Sequence, residues 1–139
     1  MTLEDVLKYK GANNGFNEHV GIEMTGLSEG YAKGELIVRD CHKNQIGSVH
    51  GGCLFTLADS IGGLAASSRG SRMTTISGEF HFLRPAITTK KLICTAKELK
   101  YGKKIAVYDV EIIDENNSLI AKGTFSFYNL EQPLFDPAH

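Results

Sequence analysis

His50, Gly51 and Gly52 stand immediately before a long apolar segment that contains a single acidic residue, Asp59. The first backbone N–H groups of a helix have no partner inside it, and glycine leaves them open to a ligand. Such an N–H can stabilise the negative charge that develops on a carbonyl oxygen. A carboxylate can act as a general base or as a nucleophile. These residue types together suit attack on a polarised carbonyl group.

Both features also have structural explanations. The glycines can serve a tight turn between a strand and a helix, and Asp59 can be satisfied by a hydroxyl group or a backbone N–H. Apart from Thr56, Asp59 and Ser60, the side chains from Cys53 to Ala66 are apolar or small. A helix that is apolar on every face is usually buried, and a buried carboxylate is costly unless it is paired or used.

The spacing of Gly51 and Asp59 constrains any joint site. Eight residues along a helix correspond to about 12 Å. The two groups cannot readily share one site on one helix. An antiparallel helix from a second copy of the chain would bring Asp59 of one subunit next to Gly51 of the other. The spacing therefore predicts an active site shared across a two-fold axis, with two such sites in each dimer.

The composition is typical of a globular protein. Its 139 residues suit one domain, with residues 1–20 as an N-terminal helical segment and residues 131–139 as a tail. A net charge of −1 gives no reason to expect nucleic acid or a membrane as partner. Three cysteines without CxxC spacing argue against a disulfide framework and a metal site. Without a signal-peptide pattern or a long apolar stretch, we expect a cytoplasmic protein.

Hydrophobic periodicity predicts an α+β protein in which one long helix packs on an antiparallel sheet. The predicted helices cover residues 3–7, ending at Gly11, and residues 52–67. Residues 11–15 are predicted as a turn, and the predicted strands are 31–39, 74–84, 91–101, 105–114 and 119–128. A curved sheet covers such a helix only partly, so the open side needs a partner. Gly62 and Gly63 allow close approach either by that partner or by the chain's own sheet.

The sequence resembles the PaaI-type acyl-CoA thioesterases, which have the hotdog fold, over roughly residues 21–128. In that fold a long helix lies in a curled antiparallel sheet. The resemblance rests on segments that occur in the same order. They are Asn44-x2-Gly47-x2-His50-Gly51-Gly52, then Asp59, then Phe82-Leu83-Arg84-Pro85-Ala86, then Tyr101-Gly102-Lys103 leading into residues 107–111.

The resemblance implies hydrolysis of an aryl or short- to medium-chain acyl-CoA to a free acid and coenzyme A, without a cofactor. It implies that the Gly51 N–H polarises the thioester and that Asp59 is the base or nucleophile. Asn44 would orient the water or contact the thioester carbonyl. Thr75 matches, loosely, a position where the family has a hydroxyl group that positions the water. The resemblance also implies a homodimer, assembling further as a dimer of dimers.

Other candidate residues have both functional and structural explanations. Asn44 serves equally as an Asx turn before the helix. His50 either hydrogen-bonds near the thioester or fixes the turn, and the second role is favoured. Gly52 is a candidate substrate contact beside Gly51. Arg84 and Lys103 are further candidates, because cations suit the phosphates of coenzyme A. Lys90, Lys91 and Lys104 also flank strand ends.

Two alternative functions compete with hydrolysis. One is a non-catalytic acyl-CoA-binding module on the same fold, against which the acid Asp59 counts. The other is a hotdog hydratase or dehydratase. Those enzymes usually combine a histidine and an acid differently, and the spacing of Asn44 and His50-Gly51-Gly52 does not resemble their motifs. Cys53 is expected to be a buried structural thiol, because no activating histidine follows it.

Overall fold

The computed structural model describes residues 2–13 and 15–135. Two helices, two strands and a 3-10 turn come first, followed by a long helix and four further strands. Their bounds are α1 Leu3–Asn13, α2 Gly15–Val20, β1 Ile22–Ser28, β2 Tyr31–Ile37, the turn Asp40–His42, α3 Gly51–Ser67, β3 Ser71–Phe82, β4 Lys91–Tyr101, β5 Ile105–Asp114 and β6 Leu119–Pro133. Among these helices, none has the length and apolar character that crossing a membrane requires.

The strands form one antiparallel sheet in the order β1-β2-β4-β5-β6-β3, and α3 packs against its concave face. Leu57, Ala58 and Ile61 of α3 are completely buried, as are Tyr108 and Phe125 of the sheet. This long helix wrapped by a curved sheet is the expected hotdog fold, which is confirmed. Burial of the apolar side of α3 is what holds the helix at this face.

One side of α3 stays open in the single chain. Gly52 and Phe55 are exposed, and Asp59 is half-buried. Gly62 packs against the chain's own sheet, because a Cβ there would lie 3.2 Å from the ring of Phe127. The sheet therefore covers the helix only partly, as a curved sheet is expected to do.

The strand β1 was not predicted from the sequence. Its apolar alternation is broken by a register shift between Met24 and Gly26, where a bulge interrupts the pairing with β2. A bulge places an extra residue on one strand and so disturbs the period of two that identifies strands. The sheet accordingly has six strands instead of the five predicted.

Several predicted boundaries were also wrong. The first helix does not end at Gly11, because α1 continues to Asn13 and α2 begins at Gly15; Asn14 lies outside the described residues. β3 starts at Ser71 and β6 runs to Pro133, where Ser71 pairs with Pro133. The start of the expected tail therefore belongs to the sheet, and residues 136–139 lie outside the described residues. The prediction for β4 and β5 agrees with the structure.

The C-terminal end of α3 is anchored by hydrogen bonds to the sheet. Arg69 donates from Nε and Nη2 to the Glu98 carboxylate at 3.1 and 2.9 Å, and Tyr108 donates to the same carboxylate at 3.2 Å. The Arg69 guanidinium lowers the pKa of Glu98. Ser68 Oγ accepts a hydrogen bond from the Gly30 N–H at 2.8 Å. These contacts hold the C-terminal end of α3 against the sheet.

The contact between β3 and β6 gives a test of the fold. A Cβ added at Gly123 would overlap the backbone oxygen of Glu79 and lie 2.8 Å from Phe80 Cα. We expect Gly123→Ala to lower the free energy of unfolding by about 1–3 kcal/mol, because backbone atoms of β3 must move. Gly15→Ala is the control, since a Cβ there meets nothing within 4 Å. Equal stability of the two variants in urea unfolding would contradict this packing.

Candidate active site

The segment that leads into α3 is held on both sides by backbone hydrogen bonds. Lys43 and Val49 form an isolated antiparallel bridge. The His50 N–H donates to His42 O at 2.8 Å, and the Val49 N–H donates to Ala86 O at 2.9 Å. The start of α3 is therefore fixed between the 3-10 turn and the segment that follows β3.

His50 caps α3. Its Nδ1 accepts a hydrogen bond from the Gly52 N–H at 2.8 Å, and its carbonyl oxygen accepts from the N–H groups of Cys53 and Leu54 at 2.9 and 3.1 Å. His50 thus fixes the turn, and the Gly52 N–H is occupied. Of the first four N–H groups of α3, that of Gly51 has no acceptor among the described residues. It lies at the positive end of the helix dipole.

The cleft beside Gly51 has a volume of about 370 Å³. Phe82 forms one wall, since its ring lies 3.6–3.8 Å from where a Cβ of Gly51 would be. The cleft brings together three residues that the sequence selected, Asn44, Gly51 and Arg84. The residues that line it are Asn44, Ser48, Val49, Gly51, Leu54, Phe82, Leu83, Arg84, Pro85 and Ala86. We call it the Gly51 cleft.

Asn44 forms an Asx turn and also lines the Gly51 cleft. Its Oδ1 accepts hydrogen bonds from the N–H groups of Ile46 and Ser48, both at 3.1 Å. Its Nδ2 donates to Ser48 Oγ at 3.0 Å. An amide nitrogen carries two hydrogens. The second has no acceptor within the described ranges, so the structural role of Asn44 leaves one donor for a ligand.

Asp59 and Thr75 form a separate pair. Thr75 Oγ1 donates to Asp59 Oδ1 at 2.7 Å. For Asp59 Oδ2, no hydrogen-bond partner is found in the part of the chain that the structure describes. Neither residue lines the Gly51 cleft. A single chain therefore presents two separate groups of candidate residues, one at the start of α3 and one at its middle.

The two basic residues predicted to contact coenzyme A, Arg84 and Lys103, lie at opposite ends of the sheet. Arg84 follows the end of β3, where Phe82 pairs with Ala121 of β6. Lys103 lies in the turn before β5, whose first residue pairs with Tyr128 at the other end of β6. Two further candidates are already in ion pairs, Lys91 with Glu35 at 3.2 Å and Lys104 with Glu131 at 2.8 Å.

A second cleft, of about 290 Å³, lies on the other side of His50. It contains Cys53, whose pKa is raised by burial, so the thiol stays protonated and is a poor nucleophile. Within the described ranges, no group of three His, Cys, Asp or Glu side chains could hold a metal ion. The residues that line this cleft are Phe16, Val20, Cys41, His42, Lys43, His50, Gly52, Cys53 and Thr56.

Sequence reasoning missed Ser48. This residue is 7% exposed, lines the Gly51 cleft and holds the side chain of Asn44. The available sequence signal was local: Ser48 follows Asn44 by four positions, with Gly47 between them. In the structure, Gly47 has a φ of +82°.

Comparison with known proteins identifies the family. Residues 46–121, more than half of the chain, match the sequence profile of the Thioesterase superfamily. The chain belongs to the thioesterase superfamily. The acyl-coenzyme A thioesterase PaaI of Escherichia coli is 32% identical to this thioesterase over 109 residues, which cover 78% of each chain. A putative esterase of Archaeoglobus fulgidus is 35% identical over 133 residues, covering 94% of this chain and 86% of the relative.

The structural comparison agrees. The solved structure of the Escherichia coli PaaI protein, from the phenylacetic acid degradation operon, has a TM-score of 0.88 with this thioesterase at 27% identity. The match covers 94% of both chains. The predicted resemblance to PaaI-type thioesterases is confirmed.

The cap at the start of α3 gives a test of the local structure. His50→Ala removes the acceptor of the Gly52 N–H, and we expect the free energy of unfolding to fall by about 1 kcal/mol. His50→Ser keeps a side-chain oxygen at the cap position and should recover most of that loss. Urea unfolding measures both variants, and equal stability of the two would contradict the capping role.

Proposed function

We propose that this thioesterase hydrolyses acyl-coenzyme A to a free acid and coenzyme A, in a site that two subunits build together. One observation carries the proposal. Gly51 lines a cleft at the start of α3, and its N–H has no acceptor among the described residues. Hydrolysis of acyl-CoA also agrees with the name of the Escherichia coli relative.

In this proposal two hydrogen-bond donors polarise the thioester. The Gly51 N–H and the second hydrogen of Asn44 Nδ2 belong to residues that line the same cleft. Both groups can only donate, which suits a carbonyl oxygen and the oxyanion that forms from it. The positive end of the α3 dipole adds to the stabilisation.

In this proposal, Asp59 either activates the water that attacks the thioester or attacks the thioester itself. Because Thr75 donates to one oxygen of the carboxylate, the other can accept a proton from water. In the base route, the water oxygen bonds to the thioester carbon while Asp59 takes the proton, and the carbon–sulfur bond breaks to release the thiolate of coenzyme A. In the nucleophile route, the Asp59 carboxylate attacks the thioester carbon and the carbon–sulfur bond breaks, which gives an anhydride and the thiolate of coenzyme A; water then hydrolyses the anhydride to the free acid and the Asp59 carboxylate. The geometry accommodates both routes.

The two groups of residues contact different parts of β3. Thr75, bonded to Asp59, is the fifth of its twelve residues, and Phe82, packed on Gly51, is the last. Two copies of β3 can pair in antiparallel fashion with Thr75 of one strand opposite Phe82 of the other. Asp59 of one subunit then approaches the Gly51 cleft of its partner. A homodimer is the smallest assembly that completes the site, and a dimer of dimers retains it.

The exposure of β3 supports this pairing. β3 is an edge strand of twelve residues, and it carries Ile76 and Phe82, which are 51% and 54% exposed. A long apolar edge with unpaired backbone groups is a template for another strand. Phe55, on the open side of α3, is 37% exposed next to it. The same surface would therefore cover the open side of the helix.

Pairing of this kind also brings the two cations toward one site. Lys103 lies at the end of the sheet where β3 begins, and Arg84 follows the end of β3. Antiparallel pairing places Lys103 of one subunit and Arg84 of its partner at the same end of the dimer. We propose that these two side chains bind the phosphates of coenzyme A. A non-catalytic acyl-CoA-binding module would use the same contacts without needing Asp59.

The test of this function is the variant Asp59→Asn. The amide retains an oxygen for the Thr75 hydroxyl but can neither accept the proton of water nor attack the thioester. We expect kcat for acyl-CoA hydrolysis to fall at least about 100-fold, while the dimer persists. Thiol release from a panel of aromatic and aliphatic acyl-CoAs measures turnover, and sedimentation measures the assembly.

Asp109→Asn is the matched control. Asp109 is a carboxylate on the outer face of the sheet, paired with Lys122 at 3.1 Å. Its replacement should leave turnover within about twofold, as surface ion pairs contribute little. Wild-type turnover in Asp59→Asn would remove Asp59 from the mechanism. Acyl-CoA binding without turnover in the wild-type protein would favour the binding module.

A further inference from the structure

Ser48 contacts both ends of the Asn44 amide. Its hydroxyl oxygen accepts from Asn44 Nδ2 at 3.0 Å, and its backbone N–H donates to Asn44 Oδ1 at 3.1 Å. The side chain is 7% exposed and lies on the wall of the Gly51 cleft. The backbone closes the same loop, since the Asn44 N–H donates to Ser48 O at 2.8 Å.

These contacts determine which way the amide points. The N–H groups of Ile46 and Ser48 both face one atom of the Asn44 side chain, and that atom must be the oxygen because N–H groups only donate. A half-turn of the amide would set donors against donors. Ser48 Oγ then takes one hydrogen of Nδ2, and the position of the other is fixed by the planarity of the amide. That second hydrogen has no acceptor among the residues described.

We propose that Ser48 is a positioning residue for acyl-CoA hydrolysis, holding the Asn44 amide so that its free hydrogen points to the thioester carbonyl oxygen. The inference rests on the proposed function, in which Asn44 and Gly51 polarise that carbonyl together. Ser48 acts through Asn44 and does not touch the reacting atoms. Donors to an oxyanion are effective because they are oriented before the charge develops. Without the Ser48 oxygen, the amide is held only at Oδ1 and can tilt.

The first test is Ser48→Ala. This change removes the hydroxyl oxygen and leaves both backbone hydrogen bonds between Ser48 and Asn44 in place. We expect kcat to fall about three- to tenfold with little change in KM, because the loss of one hydrogen bond acts on the transition state. Ser48→Thr keeps an oxygen on Cβ and should restore most of kcat.

Ser68→Ala is the matched control. Ser68 is 8% exposed and its Oγ also accepts an N–H, from Gly30 at 2.8 Å, but it lies at the far end of α3. It should lose thermal stability to a similar degree and keep the wild-type kcat. An equal loss of kcat in both variants would show that general destabilisation causes the effect, and would overturn the positioning role.

A double-mutant cycle with Asn44→Ala separates this inference from the proposed function. If Ser48 acts through Asn44, adding Ser48→Ala to Asn44→Ala lowers kcat no further. Losses that multiply, or an unchanged kcat in Ser48→Ala beside a reduced kcat in Asn44→Ala, would overturn the role of Ser48 alone. A wild-type kcat in Asn44→Ala would contradict the polarising role of Asn44, and with it the role of Ser48, whereas the absence of acyl-CoA turnover in the wild-type protein would contradict the proposed function itself. If Asn44→Ala does not fold, the comparison of Ser48→Ala with Ser68→Ala decides.

Discussion

The start of α3 has four backbone N–H groups that the helix cannot satisfy by itself. They belong to residues 50–53. The His50 N–H donates to His42 O, and the N–H groups of Gly52 and Cys53 donate to the imidazole and the carbonyl oxygen of His50. The N–H of Gly51, a residue that lines the cleft, has no acceptor among the described residues. The other features of the site depend on this arrangement. The loop from Asn44 to Ser48 fixes the approach to His50, and the anchor between Arg69 and Glu98 holds the opposite end of the helix. A directed donor at the start of a helix can stabilise the oxyanion that forms during hydrolysis of a thioester.

The second constraint is that the sheet covers only one side of α3. The sheet buries the side of α3 that carries Leu57 and Ile61 but leaves Gly52, Phe55 and Asp59 at least partly accessible. The same open side ends at β3, an edge strand with exposed apolar side chains. A partner that covered this surface would complete the hydrophobic packing of the helix and enclose Asp59. Stability of the assembly and construction of the site would then come from the same contacts.

Much of the fold follows from periodicity. The alternation in Lys91–Tyr101 and Ile105–Asp114 predicted β4 and β5 correctly, and the apolar run after His50 predicted α3 to within one residue. Periodicity failed where the chain breaks its own period, as at the bulge after Met24 in β1. It also failed at the start of β3 and at the end of β6, because Ser71 pairs with Pro133 across about 60 residues of sequence. Local patterns do not contain such a pairing.

The candidate site was predictable in type and only partly in arrangement. The residues Gly51 and Asp59 were recognisable because glycine at a helix start and an acid in an apolar helix are unusual in themselves. Thr75 was selected only by resemblance, as a hydroxyl that positions the water, and its contact with Asp59 was not predicted. The hydroxyl of Ser48 was missed as well. Both contacts depend on where distant or folded-back segments meet. The occupied N–H of Gly52 was likewise invisible, since it depends on the rotamer of His50.

The most direct test of the shared site is subunit complementation between Asp59→Asn and Gly51→Pro. Proline removes the Gly51 N–H, and it suits the first position of a helix. Its Cβ would lie at an ordinary contact distance, 3.6–3.8 Å, from the Phe82 ring. The preceding residue, His50, already has φ −59° and ψ 136°, which proline tolerates. Each variant alone should be inactive. After the subunits are mixed and exchanged, half of the dimers carry one intact site of two, so about a quarter of the wild-type activity should return. Activity that stays at the level of the two parents after proven exchange would contradict a site built by two subunits.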